Sequence, residues 1–289
     1  MTSAAGRFAP SPTGPLHHGS LLAAAASYLD ARSRGLQWWL RIDDLDTPRV
    51  AEGAESAILS SLAAHGLHWD GPVRRQSEQV DRYLAALNEL SVQQLLFYCT
   101  CSRQQLADSA VYPGTCRRQR TPVPDAAVRV RVGDDPIRFT DLIHGEQTEI
   151  LAQSCGDFVV RRRDGLVAYQ LATAVDDGSD EVVRVVRGGD LLDNTARQIF
   201  LMRRLGLAEP AYAHLPVLVD DRGQKLSKQT NAAALDNTRP AANLLAVFDP
   251  LGLNPPPQAE RWTPAELLAW GTREFALERI RPGSVTFRL

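Results

Sequence analysis

The chain has 289 residues, 44% of them apolar and 23% charged, with a formal net charge of −2. That is enough apolar material for a substantial core in two domains with small elaborations, and it excludes a disordered or low-complexity chain. No overall basic surplus marks a nucleic-acid binder, so an RNA partner would depend on local groups such as Arg117, Arg118 and Arg120, Arg161 to Arg163, or Arg203 and Arg204.

The opening MTSAAGRFAPSPTG lacks the apolar stretch of a signal peptide, and no later run is long enough for a bilayer span. A cytoplasmic location is therefore expected. Arg7 to Ala9 reads as a short strand, broken by Pro10, Pro12, Gly14 and Pro15. Ser20 leads into LLAAAASYLDARSRG, an Ala/Leu-rich helix stopped by Gly35. WWLRI follows as a strand and empties into the acidic turn DDLD. Strand, proline-glycine loop, helix and strand open a Rossmann-like, doubly wound α/β domain, whose ligands sit at the carboxyl ends of parallel strands.

AEGAESAILSSLAAHG reads as a second helix, and a third starts near Ser77 with Val80, Tyr83, Leu84, Leu87 and Leu90 at helical spacing. From Phe97 to about Leu166, cysteines, prolines and short alternating segments (VRVRV, DFVVRRR) predict an insertion with hairpins. The α/β pattern returns in LVAYQLATAVDD, VVRVVRG and NTARQIFLMRRLG, and a proline-punctuated helical tail follows KLSKQ. The expected organisation is a catalytic domain split over 1–96 and 167–229, an insertion over 97–166, and a small helical region over 230–289.

Two segments carry phosphate chemistry. PLHHGS lies at a strand-loop-helix junction, where unpaired backbone N–H groups and a partial positive charge suit ATP phosphates. KLSKQ puts Lys225 and Lys228 on either side of a small hydroxyl in a loop able to close over a triphosphate. Adenylate formation, an in-line attack of a carboxylate on the α-phosphorus, needs chiefly placement and charge neutralisation.

In this order and separation the two segments resemble the signatures of class I aminoacyl-tRNA synthetases. RFAPSPTGPLHHGS, LRIDDLD, GLHWDGPVRRQSE, AYQLATAVDD, VVRGGDLLDNTARQ and KLSKQ together look like a glutamyl-tRNA synthetase catalytic domain, from Arg7 to about Gln229. The resemblance implies activation of L-glutamate with ATP, and Mg²⁺ with it. His17, Gly19, Lys225 and Lys228 become the catalytic set; His17, Gly19 and Lys228 also contact ATP. The glutamate pocket becomes Arg7, Phe8, Ala9, Pro10, Ser11, Asp43, Tyr169 and Arg187, with the two arginines gripping carboxylate and Asp43 pairing with the α-ammonium. Asp43 stands where the family usually has Glu, His18 where an apolar residue is usual, and Gln229 replaces the usual last residue of the second signature.

Cys99, Cys101 and Cys116 lie close together, and a structural zinc site wants four ligands. Chemistry alone leaves the fourth open: no histidine is near, and Cys155 is distant and reads as core. The spacing Cys-x-Cys to Tyr-x-x-x-Cys resembles the zinc site of the short glutamyl-tRNA synthetase paralogues that modify tRNA(Asp), which implies Tyr112 as fourth ligand. Those paralogues have no large anticodon-binding region, and only about sixty residues follow KLSKQ here. The expectation is a monomer that activates glutamate without tRNA and transfers it to the queuosine base in the anticodon of tRNA(Asp). The alternatives are a shortened glutamyl-tRNA synthetase charging a 3′ end and a non-catalytic zinc-containing RNA-binding module.

Overall fold

Residues Ala5–Phe8 form strand β1, starting two residues before the expected strand and ending one residue before its end, because its hydrogen-bond register starts at Ala5 opposite Gln37. A computed structural model describes residues 4–107, 109–226 and 233–287; Lys228 and Gln229 lie outside them. Helix α1 (His18–Ser33) and strand β2 (Gln37–Ile42) follow, joined through Gly35 at a left-handed φ of 67°, the glycine stop that the sequence predicts. Helix α2 (Ala54–Ala64), the two-residue strand β3 (Arg74–Arg75) and helix α3 (Val80–Val92) complete the first half.

The middle segment contains β4 (Leu96–Cys99), β5 (Ala127–Val130), β6 (Ile137–Asp141), β7 (Gly145–Glu149), the short α4 (Leu151–Ser154) and β8 (Phe158–Arg161). Then come α5 (Tyr169–Asp177), β9 (Val182–Gly188), α6 (Leu192–Leu205), β10 (Ala211–Leu215) and β11 (Val217–Val219). The chain continues through α7 (Pro240–Phe248), α8 (Pro264–Glu274) and β12 (Ser284–Thr286).

The main sheet has the order β3-β2-β1-β9-β10-β6-β7. All its pairings are parallel except β6 with β7, so it is a mixed sheet. The exception has a local cause. Only three residues join β6 to β7, and so short a link permits only antiparallel return. Asp141 shapes that turn by accepting the backbone N–H groups of Ile143 and His144. Strands β4, β5 and β8 form a separate antiparallel sheet.

Alternating strand residues face two cores. Phe8, Trp38, Leu40, Ile42 and Val186 pack with α1, α2, α7 and α8 on one side. Ala5, Trp39, Val185 and Tyr212 pack with α3, α5 and α6 on the other. Helix α8 approaches α1 so closely that a Cβ on Gly271 would lie 3.2 Å from Leu29. The C-terminal segment also returns to the segment before KLSKQ, because β12 pairs in parallel with β11. No helix among the described residues is long and apolar enough to cross a membrane.

Candidate active site

The carboxyl ends of β1, β9 and β10 open onto a cleft of about 310 Å³. Its walls include Phe8 at the end of β1, Pro10 and Ser11 after it, His17 and Gly19 at the start of α1, and Lys225 beyond β11. PLHHGS and the start of KLSKQ, two hundred residues apart, thus share one cavity. His17 is the N-cap of α1, its Nδ1 accepting the Ser20 N–H at 3.3 Å. This fixes Nδ1 as an acceptor and makes Nε2 the nitrogen that can donate to a phosphate. A Cβ on Gly19 would lie 3.0 Å from the His17 ring and 3.4 Å from the Leu226 carbonyl, so glycine keeps the cleft floor open.

His18 is buried, its ring centroid 5.0 Å from that of Phe287, and burial lowers its pKa. An imidazole kept neutral there occupies an apolar position, which accounts for the departure at the second residue of the motif. Lys225 pairs with Asp190 at 2.6 Å across the cleft wall, and Val219 bridges Lys225 in a turn ordered by Asp220, which accepts the N–H groups of Arg222 and Gln224.

The charged side chains expected to hold glutamate lie on the α3/α5/α6 face of the sheet, whereas Phe8 packs on the other. Arg7, buried on β1, makes a two-point ion pair with Asp177 at the end of α5 (3.1 and 2.7 Å). Arg41 on β2 pairs with Asp177 at 2.6 Å and with Asp43 at 2.6 and 3.3 Å. Asp176 lies 3.6 Å from Arg41 and accepts from Gln76 and Tyr83. Burial alone would raise the Asp177 carboxyl, but Arg7, Arg41 and Arg187 hold it well below the usual carboxylate range. Asp43 behaves oppositely: burial, reinforced by Asp176 and Asp177, outweighs Arg41 and lifts its pKa to about 6.

Arg187 on β9 gives its Nε–H to His214 Nε2 (2.9 Å) and an Nη2 hydrogen to Thr195 (2.9 Å). Its Nη1 is buried with no hydrogen-bond partner among the described residues. Tyr169 opens α5 and is 39% exposed. Ala9 lies half-buried between Phe8 and Pro10, and the Pro10 carbonyl accepts the Asp43 N–H at 3.0 Å. Loop and acidic turn are therefore tied together.

Sequence reasoning missed Arg41, Asp177, Asp141, His214 and Thr195 as site residues. Asp177 stood inside the AYQLATAVDD block, and a carboxylate at the end of a buried helix was the available signal. His214 and Asp141 carried none.

Cys99, Cys101 and Cys116 bring their sulfurs within 4.8 Å of one another. Cys101 and Cys116 sulfurs are 3.5 Å apart, and the Tyr112 hydroxyl is 3.5 Å from Cys99 Sγ. Sulfurs around a tetrahedral zinc with bonds of about 2.3 Å stand roughly 3.8 Å apart, so this donor set fits zinc. Burial raises the Cys116 thiol, but the Thr100 N–H and neighbouring thiol and phenol contacts bring it down to about 7, while burial and the neighbouring thiols push the Cys101 thiol up to about 11. Burial raises the Tyr112 phenol. Cys155 stays outside the cluster; its carbonyl accepts the Tyr112 N–H, and Gly156 (φ 67°) lets that backbone approach.

Residues 4–242 match the family described as tRNA synthetases class I (E and Q), catalytic domain. The chain belongs to that family and is a ligase of the aminoacyl-tRNA synthetase type. It is 48% identical over 283 residues to the glutamyl-Q tRNA(Asp) synthetase of Thiobacillus denitrificans, covering 95% of this chain and 94% of that protein. It is 47% identical over 280 residues to the enzyme of that name from Ectopseudomonas mendocina, covering 96% and 95%. Within the family, therefore, it groups with the glutamyl-Q tRNA(Asp) synthetases. A glutamate tRNA ligase from Elizabethkingia meningosepticum, solved with its amino acid, superposes with a TM-score of 0.82 at 25% identity, over 99% of this chain and 67% of that one. Glutamate, ATP and a tRNA are the reactants this class implies.

Proposed function

We propose that the protein activates glutamate as its adenylate without tRNA and then passes it to the queuosine base in the anticodon of tRNA(Asp). One observation carries the first half. Arg7 and Arg187 lie on the same face of the sheet and act on the same carboxylate of Asp177, and the next residue after each, Phe8 and Gly188, lines the cleft that PLHHGS and Lys225 also line.

In this reading Arg187 and the remaining N–H groups of Arg7 receive the glutamate side-chain carboxylate, and Asp43 pairs with the α-ammonium. Tyr169 closes the pocket, and Phe8, Ala9, Pro10 and Ser11 form the wall between amino acid and nucleotide. The α-carboxylate oxygen attacks the α-phosphorus of ATP, the bond to the bridging oxygen breaks, and pyrophosphate leaves. His17 Nε2, the N–H groups at the start of α1, Lys225 and Lys228 neutralise the charge that develops on phosphate. A nucleophile of the queuosine base then attacks the acyl carbonyl, and AMP departs. Zinc, held by Cys99, Cys101, Tyr112 and Cys116, ties together the segment around β4 as a structural ion.

The queuosine acceptor is supported by the names of the relatives that match this chain nearly end to end. Similarity to glutamate tRNA ligases favours the rival acceptor, a tRNA 3′ end. Incubation with labelled glutamate, ATP and tRNA(Asp), with and without queuosine, separates them. Label should enter only queuosine-containing tRNA; equal labelling of both would make the 3′ end the acceptor.

A further inference from the structure

Asp141 and His214 are fully buried where β6 meets β10, and His214 stands in register with Arg187 on the neighbouring β9. Asp141 Oδ2 lies 2.6 Å from His214 Nδ1. Its Oδ1 accepts the backbone N–H groups of Ile143 (3.0 Å) and His144 (2.9 Å). A carboxylate can only accept, so Nδ1 carries the imidazole proton and Nε2 is left with a lone pair. That lone pair takes the Nε–H of Arg187. A guanidinium has donors only, so an imidazolium, or the other tautomer, would set N–H against N–H. Thr195 holds Arg187 Nη2, and the Tyr212 ring lies 5.3 Å from the guanidinium. Two nitrogens are tethered, and the third, Nη1, is the buried donor without a partner among the described residues.

We propose that Asp141 and His214 are positioning residues: the pair fixes one imidazole tautomer, which locks Arg187 so that Nη1 is presented to the substrate's side-chain carboxylate. This rests on the reading of Arg187 as a glutamate ligand. A guanidinium fixed before binding has less side-chain freedom left to lose, so the contribution should appear in glutamate affinity. The rest of the His214 environment supports a neutral ring: burial, with Arg187 nearby, lowers its pKa to about 4 against the pull of Asp141.

Asp141→Asn tests this without changing shape. Its oxygen stays with the two backbone N–H groups, so its NH₂ faces His214 Nδ1, forces the proton onto Nε2, and opposes Arg187. In glutamate-dependent, tRNA-free ATP–pyrophosphate exchange, the glutamate KM should rise about tenfold or more, the loss of one charge-assisted hydrogen bond, while the ATP KM stays within about twofold. A folded variant whose glutamate KM is unchanged overturns the proposal. If Asp141→Asn does not fold, two substitutions at His214 read the same contact. His214→Gln, whose Oε1 can accept from Arg187, should raise the glutamate KM clearly less than His214→Leu. Equal values for the two overturn it. Absence of glutamate-dependent exchange in the unmutated protein would instead bring down the reading of the whole pocket, so the two failures are distinguishable.

Discussion

Arg7 on β1 and Asp177 at the end of α5 form a two-point ion pair buried from solvent, 170 positions apart in the chain. The guanidinium expected to grip the substrate is thus already anchored by the protein. Arginine has five N–H donors, and Asp177 occupies two of them, so the pair orients Arg7 without exhausting it. Asp177 also holds Arg41, which in turn holds Asp43, and one carboxylate aligns both ends of the proposed amino-acid pocket.

Asp177→Asn keeps the shape and removes the charge. Arg7 and Arg41 then face each other with their shared partner neutral. Breaking a buried pair in this way costs about 3–5 kcal/mol. Urea denaturation should show a loss of that size together with a raised glutamate KM. A variant as stable as the parent would mean that the two arginines find other partners.

Asp43 should make glutamate use depend on pH. Its pKa is raised to about 6, so the group is ionised at pH 7.5 and becomes neutral as pH falls through 6. Neutral Asp43 cannot pair with an α-ammonium. The kcat/KM for glutamate in pyrophosphate exchange should therefore fall with acidification through that pH, and Asp43→Asn should be low and flat across it. A parental profile without this inflection argues against the ammonium role.

The cysteine cluster predicts one zinc per chain by elemental analysis, and less in Cys116→Ser. Tyr112→Phe removes the only oxygen in the donor set and should bind zinc more weakly, releasing it to a chelator faster than the parent does. Chelation should destabilise the segment around β4 and β5, seen as faster proteolysis there. Equal zinc retention by Tyr112→Phe would rule out the phenol as a ligand.

Gly189 has a steric reason that its VVRGGD block does not disclose. A Cβ there would lie 2.5 Å from the Leu215 backbone carbonyl, and Leu215 lines the cleft proposed to hold ATP. Gly189→Ala should cost about 1–3 kcal/mol through overpacking and raise the ATP KM more than the glutamate KM. A thermal melt together with both KM values checks this.

What the sequence disclosed was local. The Gly35 helix stop, the PLHHGS junction, and the spacing of Cys99, Cys101, Tyr112 and Cys116 are each set by residues near one another in the chain. The pairing partners were hidden because tertiary structure chooses them: Arg7 with Asp177, and His214 with Asp141 across 73 positions. The β6–β7 edge was hidden for a similar reason. A single register pair, Tyr212 with Asp141, joins it to β10, and the alternation of Ile137, Arg138, Phe139 and Thr140 marks a strand without naming its partner.

The most direct test is glutamate-dependent ATP–pyrophosphate exchange by the zinc-replete protein with no tRNA present. The parent should exchange with glutamate, and Arg187→Ala should lose about a hundredfold or more in kcat/KM for glutamate, as expected when one partner of a buried charged contact is removed. Exchange that requires tRNA, or that Arg187→Ala leaves intact, would contradict the account.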